Sequence, residues 1–245
     1  MRTIKKLDLF DYKVFADDIN SIQPGNDRTI IDTLNAYSYV VAKSDPEFKE
    51  ALQRADILLP DGFPIVTAAK WLRKEKIKKI AGADIFFYLC NYLHEKKGSC
   101  FFLGAAQSTL DSIKENLKND FPNIKSSFFS PPYRKEFSEQ ENLEMIEEIN
   151  KVSPDVLFVG MTAPKQEKWV YKNAERINAK IICSIGAVFD FYAGSVNRPS
   201  EFWIRLNLEW FIRLLKEPKR LWKRYLVYSP LFFKDLILYK IGMKH

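Results

Sequence analysis

The sequence lacks the short motifs of several common enzyme classes. It contains no Gly-x-Gly, so the dinucleotide fingerprint is absent, and no Gly-rich phosphate loop ending in Gly-Lys. No Asp-x-Asp pair is present to clamp a divalent ion on a nucleotide sugar. The two histidines, His94 and His245, fall on a predicted helix and at the last residue, where neither is suited to be a metal ligand or a general base. These absences argue against a dehydrogenase, and they leave polar groups at the strand ends and the arginines of the tail to handle the charge of a phosphate.

Cysteine and long apolar runs are also scarce. The three cysteines (Cys90, Cys100 and Cys183) show no Cys-x-x-Cys spacing and lie in apolar runs, which favours buried thiols in a reducing compartment over zinc ligands. No segment reaches the roughly 18 apolar residues of a membrane-spanning helix, and the first residues lack the apolar core of a signal peptide. With 245 residues, 47% of them hydrophobic and 28% charged, we expect a soluble, cytoplasmic globular protein.

The net charge of +7 lies entirely at the carboxyl end. From Arg198 onward there are eleven basic and four acidic residues, whereas residues 1–197 are neutral overall. The same segment holds three of the five tryptophans. We therefore expect a neutral body over 1–197 and a helical, basic and aromatic appendage over 198–245. Such an appendage suits the surface of a membrane or a nucleic acid.

Short β-rich runs alternate with longer amphipathic ones through the neutral part. This order predicts βαβ units and hence a Rossmann-like α/β fold, a parallel sheet sandwiched by helices. Residues 5–19 alternate loosely and predict a hairpin or an edge strand ahead of the sheet. In the appendage, Pro218 suits the first turn of a helix, and another short apolar helix follows Pro230. The predicted strands are Thr29–Asn35, Asp56–Pro60, Ser99–Leu103, Lys125–Phe129, Asp155–Val159 and Lys180–Ile185.

Several predicted strands end in glycine. Gly104, Gly160 and Gly186 each close one, and Asp61-Gly62 closes another. In open α/β sheets, ligands bind beyond the carboxyl ends of the strands, and helix N-termini there receive phosphate groups. A single glycine of this kind more often makes a tight turn. Four such ends together favour a site for a nucleotide or a sugar phosphate.

A set of longer motifs extends over about Thr29 to Arg224. Two of them are quite specific: Pro164-Lys165-Gln166-Glu167 and the run from Glu209 to Leu214. The others, in chain order, are Thr33-Leu34-Asn35-Ala36, Leu59-Pro60-Asp61-Gly62, Gly186 to Gly194, Arg198-Pro199 and Glu217-Pro218-Lys219-Arg220. Together they resemble the WecG/TagA/CpsF glycosyltransferases.

The resemblance implies an inverting, metal-independent enzyme that needs no cofactor. It would move N-acetylmannosamine, its uronic acid or a related hexose from a UDP-sugar to a lipid-diphosphate-linked sugar in cell-surface polysaccharide synthesis. It implies action as a peripheral protein on the inner face of the plasma membrane, with the appendage closing over the active site and docking on the cytoplasmic membrane surface. Away from a membrane, the apolar face of the appendage could pack on a second copy.

The resemblance also assigns the candidate catalytic residues. Asp61 matches the proposed general base, although an Asp before Gly62 also suits a simple turn. Thr33 and Asn35 end the first predicted strand, where they could bond the sugar or the acceptor. Asn35 could equally be only a helix cap.

Candidate substrate-binding residues follow from the same motifs and from a basic stripe at helical spacing in the appendage, made of Arg213, Lys216, Arg220 and Lys223 or Arg224. Asp190, in a mostly apolar run, needs a partner such as Arg198 or a ribose hydroxyl, and a structural salt bridge is nearly as good an interpretation. The basic residues would neutralise diphosphate, and either Lys223 or Arg224 fills the third position of the family's arginine pattern. The full set is Gly104, Gly160, Pro164, Lys165, Gln166, Gly186, Asp190, Arg198, Arg213, Arg220, Lys223 and Arg224, with no metal ligand.

Two other functions stay open on the sequence. The basic, aromatic tail could belong to a module that binds nucleic acid or a membrane surface, with a nucleotide-binding α/β body. The neutral body and the lack of a nucleic-acid motif argue against nucleic acid, and we expect no nucleic-acid partner. A dehydrogenase is the other alternative, which the missing Gly-x-Gly weakens.

Overall fold

A computed structural model describes residues 4–25, 27–194, 203 and 209–242. Within these ranges, the side chains of Glu209, Arg213 and Arg220 lie outside the described part. Arg198 and the expected boundary between body and appendage, after residue 197, also lie outside the described residues.

Eight strands of the described chain form one sheet, in the order β1-β2-β4-β3-β8-β7-β5-β6. All neighbouring pairs are parallel except β1 with β2, which are antiparallel. The strands are β1 Lys6–Leu9, β2 Tyr12–Phe15, β3 Thr29–Leu34, β4 Ile57–Pro60, β5 Ser99–Gly104, β6 Lys125–Phe129, β7 Val156–Gly160 and β8 Ile181–Ser184.

Helices follow the strands and cover the sheet. They are α1 Ala36–Ala42, α2 Pro46–Arg54, α3 Phe63–Ala68, α4 Gly82–Lys96, α5 Gln107–Asp120, α6 Glu139–Val152, α7 Lys165–Asn173, α8 Gly186–Tyr192, α9 Glu209–Lys216, α10 Pro218–Lys223 and α11 Ser229–Lys240. A π-helical turn, Ala69–Arg73, extends α3, and another, Arg224–Tyr228, joins α10 to α11. Short 3-10 turns lie at Ile19–Ser21 and Ala174–Arg176.

The predicted α/β class is confirmed, and local sequence explains most of its elements. The six predicted strands form with small shifts at their ends, and residues 6–15 form the expected edge hairpin. Helix α2 begins at Pro46 behind Asp45, whose carboxylate accepts a hydrogen bond from the Phe48 amide at 3.0 Å. Helix α10 likewise begins at Pro218, as expected.

The last helix is part of the hydrophobic core. Phe232 and Leu236 of α11 are fully buried, in a cluster with Leu9, Tyr12 and Leu58 from the β1–β2–β4 end of the sheet. The Phe232 ring lies 5.1 Å from that of Tyr39 in α1, edge to face. The C-terminal segment therefore packs on the same core as β1, β2 and β4, although more than half of the sequence separates it from these strands.

Across the residues that the structure describes, no helix is both long enough and apolar enough to cross a bilayer.

Candidate active site

A cavity of about 460 Å³ opens beyond the carboxyl ends of β3 and β4. One wall comes from the residues that follow these strands, and the other comes from the C-terminal segment. Its volume is in the range of small-molecule sites. The lining residues are Asn35, Ala36, Tyr37, Asp61, Gly62, Phe63, Pro64, Lys79, Trp210, Arg224, Tyr225, Ser229, Pro230 and Phe233.

Asn35 and Asp61 meet at this cavity because β3 and β4 are parallel neighbours. The Asn35 Nδ2 donates a hydrogen bond to Asp61 Oδ2 at 3.3 Å, and the Asp61 amide donates to the Leu34 carbonyl at 2.9 Å. Asn35 is also the N-cap of α1, since its Oδ1 accepts from the Ser38 amide at 3.0 Å. Asn35 therefore caps the helix and also lines the cavity, while its contact with the sugar or the acceptor stays a prediction.

Gly62 lets the chain leave the sheet directly behind Asp61. Its φ of 92° lies in a region that residues with a side chain rarely adopt. The turn sends the chain into α3 and leaves Phe63 about half exposed (53%) at the cavity mouth. The Asp-Gly pair thus makes a turn, and the same turn places the carboxylate at the cavity.

Among the side chains that the structure describes, Arg224 is the cation that the C-terminal wall brings to the cavity. The Arg224 guanidinium lies 5.2 Å from the centre of the Tyr37 ring, close enough for a cation–π contact. Two further ring contacts hold this wall: Tyr37 with Tyr228 at 5.2 Å and Trp210 with Tyr225 at 5.7 Å.

Lys223 is arranged differently from its neighbour Arg224. It is exposed, its Nζ lies 5.6 Å from the centre of the Trp222 ring, and it is not among the residues that line the cavity. Of the two candidates for the third basic position, the geometry favours Arg224. Arg213 and Arg220 belong to α9 and α10, and their side chains lie outside the described part.

Close packing explains the glycines at the other strand ends. A Cβ on Gly104, whose φ is 114°, would lie 2.4 Å from the Gly160 carbonyl oxygen, and one on Gly160 would lie 2.4 Å from the Phe189 ring. A Cβ on Gly186 would lie 2.0 Å from the Met161 carbonyl oxygen. None of the three lines the cavity. The packing of the backbone alone accounts for glycine at these three positions. Their role in substrate binding stays a prediction.

Gln166 is buried and joins two of these strand ends. Its Oε1 accepts from the Met161 amide at 3.2 Å and from the Gly186 amide at 3.1 Å, and its Nε2 donates to Glu167 Oε1 at 3.0 Å. The amide group therefore fixes the β7 and β8 ends to each other in this structure. The donor contact expected for Gln166 stays a prediction.

Two buried carboxyls, Glu167 and Asp32, lie behind the site. Asp32 Oδ1 and Glu167 Oε2 make no hydrogen bond. Burial holds the pKa of Asp32 well above its usual range. Burial first, and then the charge of Asp32, raises the pKa of Glu167. The Ser184 hydroxyl lies near enough to Asp32 to lower its pKa slightly, although the two groups do not reach hydrogen-bond geometry.

The remaining candidates whose side chains the structure describes do not line the cavity. Thr33 is half-buried on β3, and Asp190 is half-buried on α8. Pro164 follows a cis peptide bond and caps α7. The Lys165 ammonium donates to the Arg134 carbonyl at 2.5 Å and lies 3.6 Å from the centre of the Phe137 ring, while burial lowers its pKa.

Sequence reasoning did not find several of the lining residues. Tyr37, Lys79, Tyr225, Ser229 and Phe233 stand in no motif that we recognised, and their shared position depends on the return of the C-terminal segment. The buried Asp32 carried a local signal, an Asp inside an otherwise apolar strand. In the part of the chain that the structure describes, no three His, Cys, Asp or Glu side chains cluster closely enough to hold a metal ion.

Comparison with known proteins identifies the family of the chain. Residues 4–245 match the model of the glycosyl transferase WecG/TagA/CpsF family. The chain is 34% identical over 201 residues to the N-acetylglucosaminyldiphosphoundecaprenol N-acetyl-beta-D-mannosaminyltransferase of Bacillus spizizenii, covering 82% of this chain and 76% of that one. The enzyme of the same name from Bacillus subtilis is 30% identical, covering 80% and 75%. One from Staphylococcus aureus is 25% identical, covering 74% and 69%. The chain therefore belongs to the WecG/TagA/CpsF family and is a glycosyltransferase.

Proposed function

We propose that this chain transfers N-acetylmannosamine from a UDP-sugar to an N-acetylglucosamine carried on a lipid diphosphate. The observation that carries the proposal is the Asp61–Asn35 pair, which faces a cavity that Arg224 closes from the other side. A carboxylate opposite a cation suits sugar transfer from a diphosphate, because it supplies a base for the acceptor and a counter-charge for the leaving group.

The choice of donor and acceptor is supported by the names of the relatives. Each is named for moving N-acetyl-β-D-mannosamine to N-acetylglucosaminyldiphosphoundecaprenol. At 34% and 30% identity, the two Bacillus enzymes support the same class of sugar and acceptor here, in the synthesis of a cell-surface polysaccharide.

In the proposed reaction, Asp61 acts as the general base. Its carboxylate removes the proton from the attacking hydroxyl of the acceptor sugar. The hydroxyl oxygen then forms a bond to the anomeric carbon while the bond from that carbon to the diphosphate oxygen breaks. Attack on the face opposite the leaving group inverts the configuration. Asn35 holds one carboxylate oxygen, so that the other can face the acceptor.

Arg224 supports departure of the diphosphate. Negative charge grows on the leaving oxygen as the glycosidic bond breaks, and a cation fixed at the cavity wall stabilises that charge. Tyr37 restricts the guanidinium from one side. Arg213 and Arg220 would add charge on the same segment, and the proposed reaction uses no metal.

The appendage is proposed to bring this site to a membrane. Several of its apolar side chains are exposed beside its basic residues: Trp222, Leu226, Leu215 and Leu231. Interfacial aromatic residues and cations together suit an anionic membrane surface. We therefore retain the division into a body over 1–197 and an appendage over 198–245, acting on the inner face of the plasma membrane.

A donor screen by product mass tests the proposal. The purified protein is given a lipid-diphosphate N-acetylglucosamine acceptor and, in separate reactions, UDP-linked N-acetylmannosamine, its uronic acid, N-acetylglucosamine and glucose, with and without EDTA. We expect an acceptor heavier by one N-acetylhexosamine with the first donor only, and equal yield in EDTA. Product with another donor alone would overturn the assignment of the sugar.

A further inference from the structure

The body is neutral overall but contains a strongly basic segment. Residues 70–79 hold six basic side chains and one acidic side chain, and acidic residues elsewhere compensate this excess in the total. Lys70, Arg73, Lys74, Lys76 and Lys78 are all exposed. A run of like charges at the surface is commonly just a solvated face, so its position in the fold decides what it can do.

The segment begins on a helical face that starts at the cavity. Phe63 lines the cavity mouth, and Thr67, Lys70 and Trp71 follow at i+4, i+7 and i+8 along α3 and its π-helical extension. Phe63 and Trp71 are exposed to 53% and 47%, unusual for large aromatic side chains. Lys74 comes directly after the last turn and is exposed as well. One face thus carries two exposed aromatic residues flanked by lysines.

This face is continuous with the end of the C-terminal helix. The Lys240 ammonium of α11 donates to the Trp71 carbonyl oxygen at 2.7 Å. Ile237 and Ile241, next to Lys240 on that helix, are both more than half exposed. The two elements together form a surface of lysine, tryptophan and isoleucine side chains at the β1 end of the sheet, where Arg73 also donates to the Asp8 carbonyl.

A helix at the opposite edge of the sheet carries the opposite charge. Helix α6, which packs on the far edge strand β6, has five glutamates and one lysine. A protein with positive charge at one edge and negative charge at the other is oriented by a negatively charged surface, positive edge first. That orientation turns the face that starts at Phe63 toward the surface.

We propose that the exposed face of residues 63–74, centred on Lys70, Trp71 and Lys74, docks on an anionic phospholipid bilayer. It is a second membrane contact in addition to the C-terminal appendage, and it holds the cavity mouth at the bilayer surface, where a lipid-linked acceptor arrives. The proposal deepens the proposed function, on which the choice of a bilayer as partner rests. The lysines supply attraction to the headgroups, and Trp71 inserts at the interface.

Vesicle sedimentation of the full-length chain tests this surface. The partners are vesicles of phosphatidylcholine with phosphatidylglycerol, and vesicles of phosphatidylcholine alone. The variants are Lys70→Glu/Lys74→Glu and Trp71→Ala. The matched control is Lys114→Glu/Lys125→Glu, which makes the same change of net charge at exposed lysines of α5 and β6. Circular dichroism confirms folding, and UDP binding, measured by thermal shift, reports separately on the donor site.

Each basic residue near an anionic leaflet strengthens binding about fivefold, so reversing two should weaken partitioning to the anionic vesicles by more than about tenfold. We expect Trp71→Ala to weaken it several-fold and the control to change it by less than about threefold. Equal losses in the control, or unchanged binding of Lys70→Glu/Lys74→Glu, would overturn the proposal. If the wild type does not bind UDP, the result contradicts the proposed function, independently of how the variants sediment with vesicles.

Discussion

Asn35 donates a hydrogen bond to Asp61 across 3.3 Å, from the end of β3 to the end of β4. The same asparagine begins α1 by accepting from the Ser38 amide. One side chain thus joins the start of a helix to the proposed base. Local structure and the site share this residue, and substitutions can separate the two roles.

Replacing Asn35 with Ser should preserve the helix and impair the reaction. Serine caps helices as well as asparagine does, so the free energy of unfolding should change by less than about 1 kcal/mol. Loss of the hydrogen bond to Asp61 should lower kcat about tenfold, with little change in the donor KM. Asn35→Ala serves as the comparison, because it should lose the cap as well. Wild-type kcat in Asn35→Ser would leave Asn35 as a cap only.

Arg224 and Lys223 form a matched pair for the counter-charge. Arg224 lines the cavity, whereas Lys223 is exposed. Arg224→Ala should therefore lower kcat by about 10²-fold. Lys223→Ala should lower kcat less than threefold, roughly the effect of a surface charge. Arg224→Lys should recover part of the loss, because it restores charge without the planar fork. Steady-state kinetics in detergent measure all three. The reverse ranking would assign the third basic position to Lys223.

The buried carboxyls should make stability depend on pH. Burial raises the pKa of Asp32 to about 7 and that of Glu167 to about 8, whereas unfolded carboxyls titrate near about pH 4. Between these values the folded chain holds more protons than the unfolded chain, so the free energy of unfolding falls as the pH rises from about 4 to about 8.

Glu167→Gln should reduce this slope, because the amide does not titrate. Urea unfolding at about pH 5, 6, 7 and 8 gives the slope. The exposed Glu144 supplies the control, since Glu144→Gln should leave the slope as it is. Equal slopes in wild type and Glu167→Gln would show that Glu167 is ionised in the folded state.

The packing of α11 predicts that the C-terminal segment contributes to the stability of the body. Phe232→Ala should cost about 3–5 kcal/mol, because the ring is fully buried. Leu231→Ala, at an exposed neighbour (41%), should stay within about 0.5 kcal/mol. Thermal or urea unfolding measures both. A small effect of Phe232→Ala would mean that α11 leaves the core in solution.

Local pattern was enough to predict most of the sheet. Strands such as β5 and β7 are continuous apolar runs that are buried on both faces. Some helices of the fold carry clear start signals, as Asp45-Pro46 does for α2. The short helix α8 was not predicted: the strand Lys180–Ile185 was expected to end at Gly186, and no helix was assigned to the residues after it. Its glycine is required by the Met161 backbone.

The candidate site was predicted only in part, because half of it depends on contacts between distant segments. Asn35 and Asp61 could be placed at one sheet edge from the strand ends that precede them. Tyr37 and Tyr225 line the same cavity, and Tyr225 belongs to the C-terminal segment that α11 anchors to the core. The sequence separates such residues by nearly two hundred positions, and no local periodicity encodes their approach. The electrostatic interaction between Asp32 and Glu167 also joins residues that are distant in the sequence.

The most direct measurement compares UDP release by wild type and Asp61→Asn, from UDP-N-acetylmannosamine, with and without the lipid-linked acceptor. We predict that wild type releases one UDP per acceptor modified. Asp61→Asn should bind UDP normally and turn over at least about 10²-fold more slowly. Asp27→Asn, at an exposed aspartate, should behave as wild type. Wild-type turnover in Asp61→Asn, or UDP release by wild type that does not depend on the acceptor, would contradict the account.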